Sequence, residues 1–198
     1  MNNDSLEKKG PHRDTSSLAD RLMAIGYIGL FQGPDEEALR TLWNEPGVPE
    51  ALATLAGDPE APTLARFLAA EILFDKQEKY PPEEQKKQLA SVYATALAQN
   101  FTEAANTWGL PGILGGLAGE HFEALGGAAI PELASLLDDD RRVYYEGSQE
   151  ATLGSSYGYR VKDLAAFYIS KIRNIPFELD EDPIKRDKEI EKLKSALK

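Results

Sequence analysis

Residues 128–172 read AAIPELASLLDDDRRVYYEGSQEATLGSSYGYRVKDLAAFYISKI, and this stretch decides the fold. Its first part places Ile130, Leu133, Ala134 and Leu137 at i, i+3, i+4 and i+7. Its last part holds the same period through Val161, Leu164, Ala165, Tyr168, Ile169 and Ile172. Apolar side chains at that spacing make one stripe along an α-helix, and the stripe must be buried against a neighbour. Between the helices runs Asp138 to Arg160, a Gly/Ser-rich insertion with four of the chain's eight tyrosines. The unit is helix, long insertion, helix.

The same unit occurs earlier without the insertion. Val48-Pro49-Glu50 matches Ile130-Pro131-Glu132, and Leu55 matches Leu137 without a gap. Ala51/Leu52 answers Leu133/Ala134, a swap that keeps the summed core volume. In the second helices Arg66 pairs with Lys162, and Leu68-Ala69-Ala70 with Leu164-Ala165-Ala166. The offset is 82 residues between Val48 and Ile130 and 96 between Leu68 and Leu164; the difference of 14 measures the insertion. This is an internal repeat with one decorated copy.

These features together resemble the HEAT-repeat family of α-solenoids. The likeness rests on a proline early in the first helix, a Leu-rich stripe ending in Asp, and a basic residue leading a second helix with Ala-Ala, as in Asp58, Arg66 and Ala69-Ala70. It covers residues 48–76 and 128–172, and Lys76 departs from it by replacing an apolar residue. The resemblance implies an all-α fold, a right-handed α-α superhelix of helical hairpins. It also implies a surface used for protein contacts. Some bilin lyases and alkylpurine DNA glycosylases are built from similar repeats, so the resemblance leaves a lyase-like, cofactor-handling enzyme as the alternative.

Outward from the repeat, the remaining chain is also helical. Thr15, Ser16 and Ser17 offer caps to a first helix through Leu18, Leu22 and Ile25, stopped by Gly29 and Gly33-Pro34. Asp35 opens a short helix that buries Ala38, Leu39, Leu42 and Trp43. Pro81-Pro82-Glu83-Glu84 starts another, with Leu89, Val92, Tyr93, Ala96 and Leu97 inward. Thr102–Trp108 reads as a short helix or turn. A glycine-containing helix carries Leu114, Leu117, Ala118, His121, Phe122 and Leu125 in line. Asp182-Pro183 caps a last helix, residues 183–198, with Ile190, Leu193 and Leu197 inward, the end cap a solenoid needs. Residues 16–198 thus form a single helical domain with its insertion at 138–160. Met1–Thr15 is polar without periodicity and reads as a disordered leader. It reads either so or as the tether left after a signal or lipid-anchoring segment was removed. In the second case the compartment is the cell envelope or periplasm, otherwise the cytoplasm.

Composition excludes several functions. With 42% hydrophobic and 28% charged residues the chain is of the ordinary globular kind. A net charge of −11 opposes a nucleic-acid groove, which needs clustered cations to displace counterions. No apolar run approaches the ~18 residues of a membrane span. There is no cysteine, so disulfides, thiolate metal sites and cysteine nucleophiles are absent together. No GxxxxGK[ST], GxSxG or HExxH pattern occurs, so no catalytic residue, cofactor or metal site is expected. His121, on an apolar stripe, reads as an interhelix histidine making one hydrogen bond. Asp138-Asp139-Asp140 reads as a helix end paired with Arg141 and Arg142, because calcium loops alternate their ligands with a glycine turn.

The insertion is where a contact surface is expected. Val143-Tyr144-Tyr145 and Tyr157-Gly158-Tyr159 have β-type side chains, so a short β-hairpin or compact loop would gather the tyrosines. Arg141, Arg142, Tyr144, Tyr145, Tyr157, Tyr159 and Arg160 then form the candidate surface for a protein partner. The competing reading is that the loop folds back and its tyrosines seal the gap between helices.

Overall fold

A computed structural model describes residues 12–33, 37–99, 107–145 and 149–197. All regular structure among them is helical. The order is α1 (His12–Phe31), α2 (Glu37–Trp43), α3 (Val48–Gly57), α4 (Thr63–Lys76), α5 (Lys86–Gln99), α6 (Leu117–Ala124), α7 (Ile130–Ser135), α8 (Gln149–Tyr157), α9 (Val161–Arg173) and α10 (Pro183–Ala196). Short 3-10 turns precede α5 and α7. No helix among the described residues is long and apolar enough to cross a membrane.

The two repeat copies pack as pairs, α3 on α4 and α7 on α9. Val48 and Ile130 are buried alike, as are Leu55 and Leu137, and both Leu-Ala-Ala triplets are in the core; at the swapped pair the leucines Leu52 and Leu133 are buried and the alanines Ala51 and Ala134 half-buried. Arg66 and Lys162 also behave alike. Arg66 Nε donates to the Ala56 carbonyl at the end of α3, 3.3 Å away. Lys162 reaches Asp140 just beyond α7 at 2.7 Å. Arg66 thereby offsets the negative end of α3, whereas Lys162 is held by two carboxylates, Asp140 and Asp187. Both copies draw their leading cation inward.

The centre of the molecule is α4. Residues Ala65 to Leu73 are buried on every side, and the helix touches α1, α3, α5 and α6. A helix apolar all round is one that is enclosed. The last helix sits where expected: the Asp182 carboxylate accepts from the Ile184 amide at 2.9 Å, and Ile190 and Leu193 face inward.

Four local expectations are corrected. Helix α1 starts at His12, so Thr15–Ser17 lie within it rather than capping it, and it enters the stretch read as a leader. Residues 1–11 lie outside the described residues. Gly29 does not stop α1; the break comes at Gly26, whose φ of 70° a glycine alone reaches cheaply, and helix resumes to Phe31. Helix α6 starts at Leu117, because Gly109–Leu114 is folded as a tight turn. Among the described residues the insertion shows no β-hairpin: it holds one antiparallel bridge, Arg142 to Arg160, and the helix α8. Tertiary contact overrides the β-type side chains, because Tyr145 packs on the bare Cα of Gly154 in α8. The expected turn at Glu146-Gly147-Ser148 and the Thr102–Asn106 part of the expected helix or turn lie outside the described residues.

Candidate functional site

The bridge anchors the insertion at its root. Val143 N donates to Tyr159 O at 2.9 Å and Val161 N to Arg141 O at 2.9 Å. In the extended chain that follows, neighbouring side chains point to opposite faces. Tyr145 therefore turns in, 8% exposed, and its hydroxyl donates to the Gly109 carbonyl at 3.0 Å. Tyr144 turns out and is 70% exposed.

The seven candidate residues divide accordingly. Tyr145 and Tyr159 are buried and half-buried Tyr157 joins them: Tyr159 stacks on Tyr157 at 5.2 Å and lies edge-on to Tyr145 at 6.4 Å. Burial pushes the Tyr145 phenol well up and that of Tyr159 up to about 12. Arg160 is largely buried too, its guanidinium shared by Asp163 and Asp187 at 2.8–2.9 Å and Asp140 at 3.3 Å. Fully buried Arg186 of α10 closes the group, 5.4 Å over the Tyr159 ring and hydrogen-bonded to the carbonyls of Tyr157, Asp180 and Glu181. Its Nε forms an ion pair with Asp163, 3.2 Å away but off the hydrogen-bond direction. Arg141, Arg142 and Tyr144 remain on the outside. Arg141 chelates Asp139, whose carboxyl that hydrogen bond holds below the usual range. Arg142 is exposed and has no ion-pair partner among the described residues.

Sequence reasoning missed a second cluster, around Glu71. Its side chain is wholly buried in α4, and the desolvation of a carboxylate must be met by donors. Three supply them. Tyr27 donates to Oε2 at 3.2 Å, Tyr93 donates to Oε1, and His121 Nδ1 stands 2.8 Å from Oε1. Burial first, and the Glu71 charge second, push both phenols far up, so they stay protonated as donors. A carboxylate only accepts, so Nδ1 carries the ring proton and Nε2 is left with its lone pair when the ring is neutral. The ring stacks on Phe74 at 4.3 Å and 7°, and 12% of its side-chain surface is exposed. His121 makes the one hydrogen bond expected of it. The overlooked signal was Glu71, a lone acid in the run Leu64–Phe74.

Of the aspartates 138–140, Asp139 pairs with Arg141 as expected, but Asp138 pairs with Lys194 and Asp140 with Arg160 and Lys162, in place of the expected Arg142. Trp108 is buried and Trp43 packs against the core, while Gly119 lets Tyr168 of α9 and the Trp108 carbonyl come within 3.0 Å of where a Cβ would stand. Arg66 and Lys162, the basic residues that lead the second helices, are both turned inward. Comparison with family models, curated proteins and solved structures finds no match to this chain.

Proposed function

We propose that this chain is a protein-interaction module, a stack of HEAT-like helix pairs curved as an α-α superhelix, whose insertion is its contact. The observation that carries the proposal is the split between adjacent tyrosines: Tyr145 is pinned to Gly109, and Tyr144 is held out in water beside Arg141 and Arg142. An exposed aromatic on a braced backbone offers contact area at little entropic cost, and Tyr with Arg is the pairing enriched at binding hot spots. The partner has an apolar surface edged with carboxylates, complementary to Tyr144 and the exposed Arg142.

Affinity capture from native extract tests it, with wild type against Arg142→Glu/Tyr144→Ala. Both positions are exposed, so the variant keeps the wild-type melting temperature. Loss of a captured protein supports the reading; an identical captured set at equal stability refutes it. A catalytic, lyase-like reading is favoured by the reachable His121 imidazole backed by Glu71. A His121→Gln variant that loses only stability, and no turnover with candidate substrates, would remove it.

A further inference from the structure

We propose that α10 is a clasp on the insertion: docked, it holds the contact surface in shape, and lifted, it releases that surface. The inference names how the contact is regulated, so it rests on reading the insertion as that contact.

Helix α10 grips both ends of the insertion. Asp138, the first residue of the insertion, pairs with Lys194 at 2.6 Å, and Arg160, the last, pairs with Asp187 at 2.8 Å. Between those ties Arg186 donates to the Tyr157 carbonyl at 3.0 Å, where α8 ends, and lies 5.4 Å over the Tyr159 ring. One more step leads to the exposed side chain. The Tyr159 carbonyl accepts from the Val143 amide at 2.9 Å, and its ring packs edge-on against Tyr145. That segment is the one whose alternation sends Tyr145 in and Tyr144 out. When α10 lifts, the end of α8 loses its donor and the Tyr159 ring its cation together.

The hold of α10 is largely ionic. Its 14 residues bury three side chains, Arg186, Ile190 and Leu193, at the i, i+4 and i+7 spacing of a helix laid in a groove. Two of the three are aliphatic. Around them lie ion pairs: Asp187 also takes Lys162 at 2.9 Å, and Arg186 Nε stands 3.2 Å from Asp163. Asp187 is half-buried and Asp138 is exposed, and pairs of that kind are weak and screened by salt. Elements with few buried apolar contacts open before the core does. Helix α9 stays in place when α10 lifts, because α6 and α7 also pack on it. The link runs in both directions, so whatever steadies the insertion also steadies α10.

Hydrogen exchange read by mass spectrometry tests the clasp on the whole chain with no partner added. Asp187→Lys turns two ion pairs into repulsion with Arg160 and Lys162, and it touches neither aliphatic anchor. Exchange in α10 and in residues 141–145 and 149–157 should rise together, by about tenfold for that much lost pairing, while α3 and α4 keep wild-type rates. Asp187→Asn, the milder change, should raise the same segments by a smaller common factor. Faster exchange in α10 with an unchanged insertion overturns the proposal. So does an unchanged α10, or exchange that rises equally in α4. No partner takes part, so failure here is distinguishable from failure of the capture experiment, which tests the contact itself.

Discussion

At Glu71 the molecule spends stability in a way that single substitutions can read. Its carboxylate is the shared acceptor for Tyr27, Tyr93 and His121. Glu71→Ala strands three buried donors and leaves a cavity, so a loss of roughly 3–5 kcal/mol is expected in urea unfolding. A loss below about 1 kcal/mol would show that the cluster contributes little. The phenols predict an alkaline limit with a defined sign. Burial raises Tyr27, Tyr93, Tyr145 and Tyr168 above the ordinary tyrosine value, and Tyr159 to about 12. A raised folded value means that the stabilisation is fully present below about pH 10 and is lost as pH rises through the folded values. Tyrosinate absorbance should therefore lag in the folded protein and jump on unfolding. A smooth titration of all eight tyrosines near pH 10 would contradict their burial.

Helix α10 is fastened by Arg186, which ties Asp163, Tyr157 and the 180–181 carbonyls into one knot. Arg186→Leu removes one partner of a buried pair, but Asp163 keeps Arg160, so about 3 kcal/mol is expected. Hydrogen exchange should quicken in α10 and leave α4 protected; uniform quickening would mean that Arg186 supports the whole core. The elements themselves were legible where apolar spacing was long and uninterrupted, as in α4, α5 and α9. Asp182-Pro183 likewise gave the start of α10 to the residue. Helix α8 was not legible. Its sequence QEATLGSSY has no sustained stripe, and it is the contact of Gly154 with Tyr145 that places it. Val and Tyr near 143–145 and 157–159 suggested strands because β-propensity reports side-chain fit to a surface, and the surface here is a helix.

For the molecule as a whole, the repeat read from Val48-Pro49-Glu50 and Ile130-Pro131-Glu132 matters most. It foretold which helices pair. The candidate surface was legible only in part. Sequence marks Arg141–Arg160 as unusual, but alternation along 143–145 depends on where the bridge starts, and that sends Tyr145 in and Tyr144 out. Glu71 was hidden because its three partners come from α1, α5 and α6, far apart in the chain. The proposed role rests on the outward residues of a braced insertion, so it is best tested at one position. A photocrosslinking side chain at Tyr144, with exposed Ser91 on α5 as control, should give a discrete protein adduct in native extract from position 144 alone. No adduct, or the same adducts from both positions, would contradict the account.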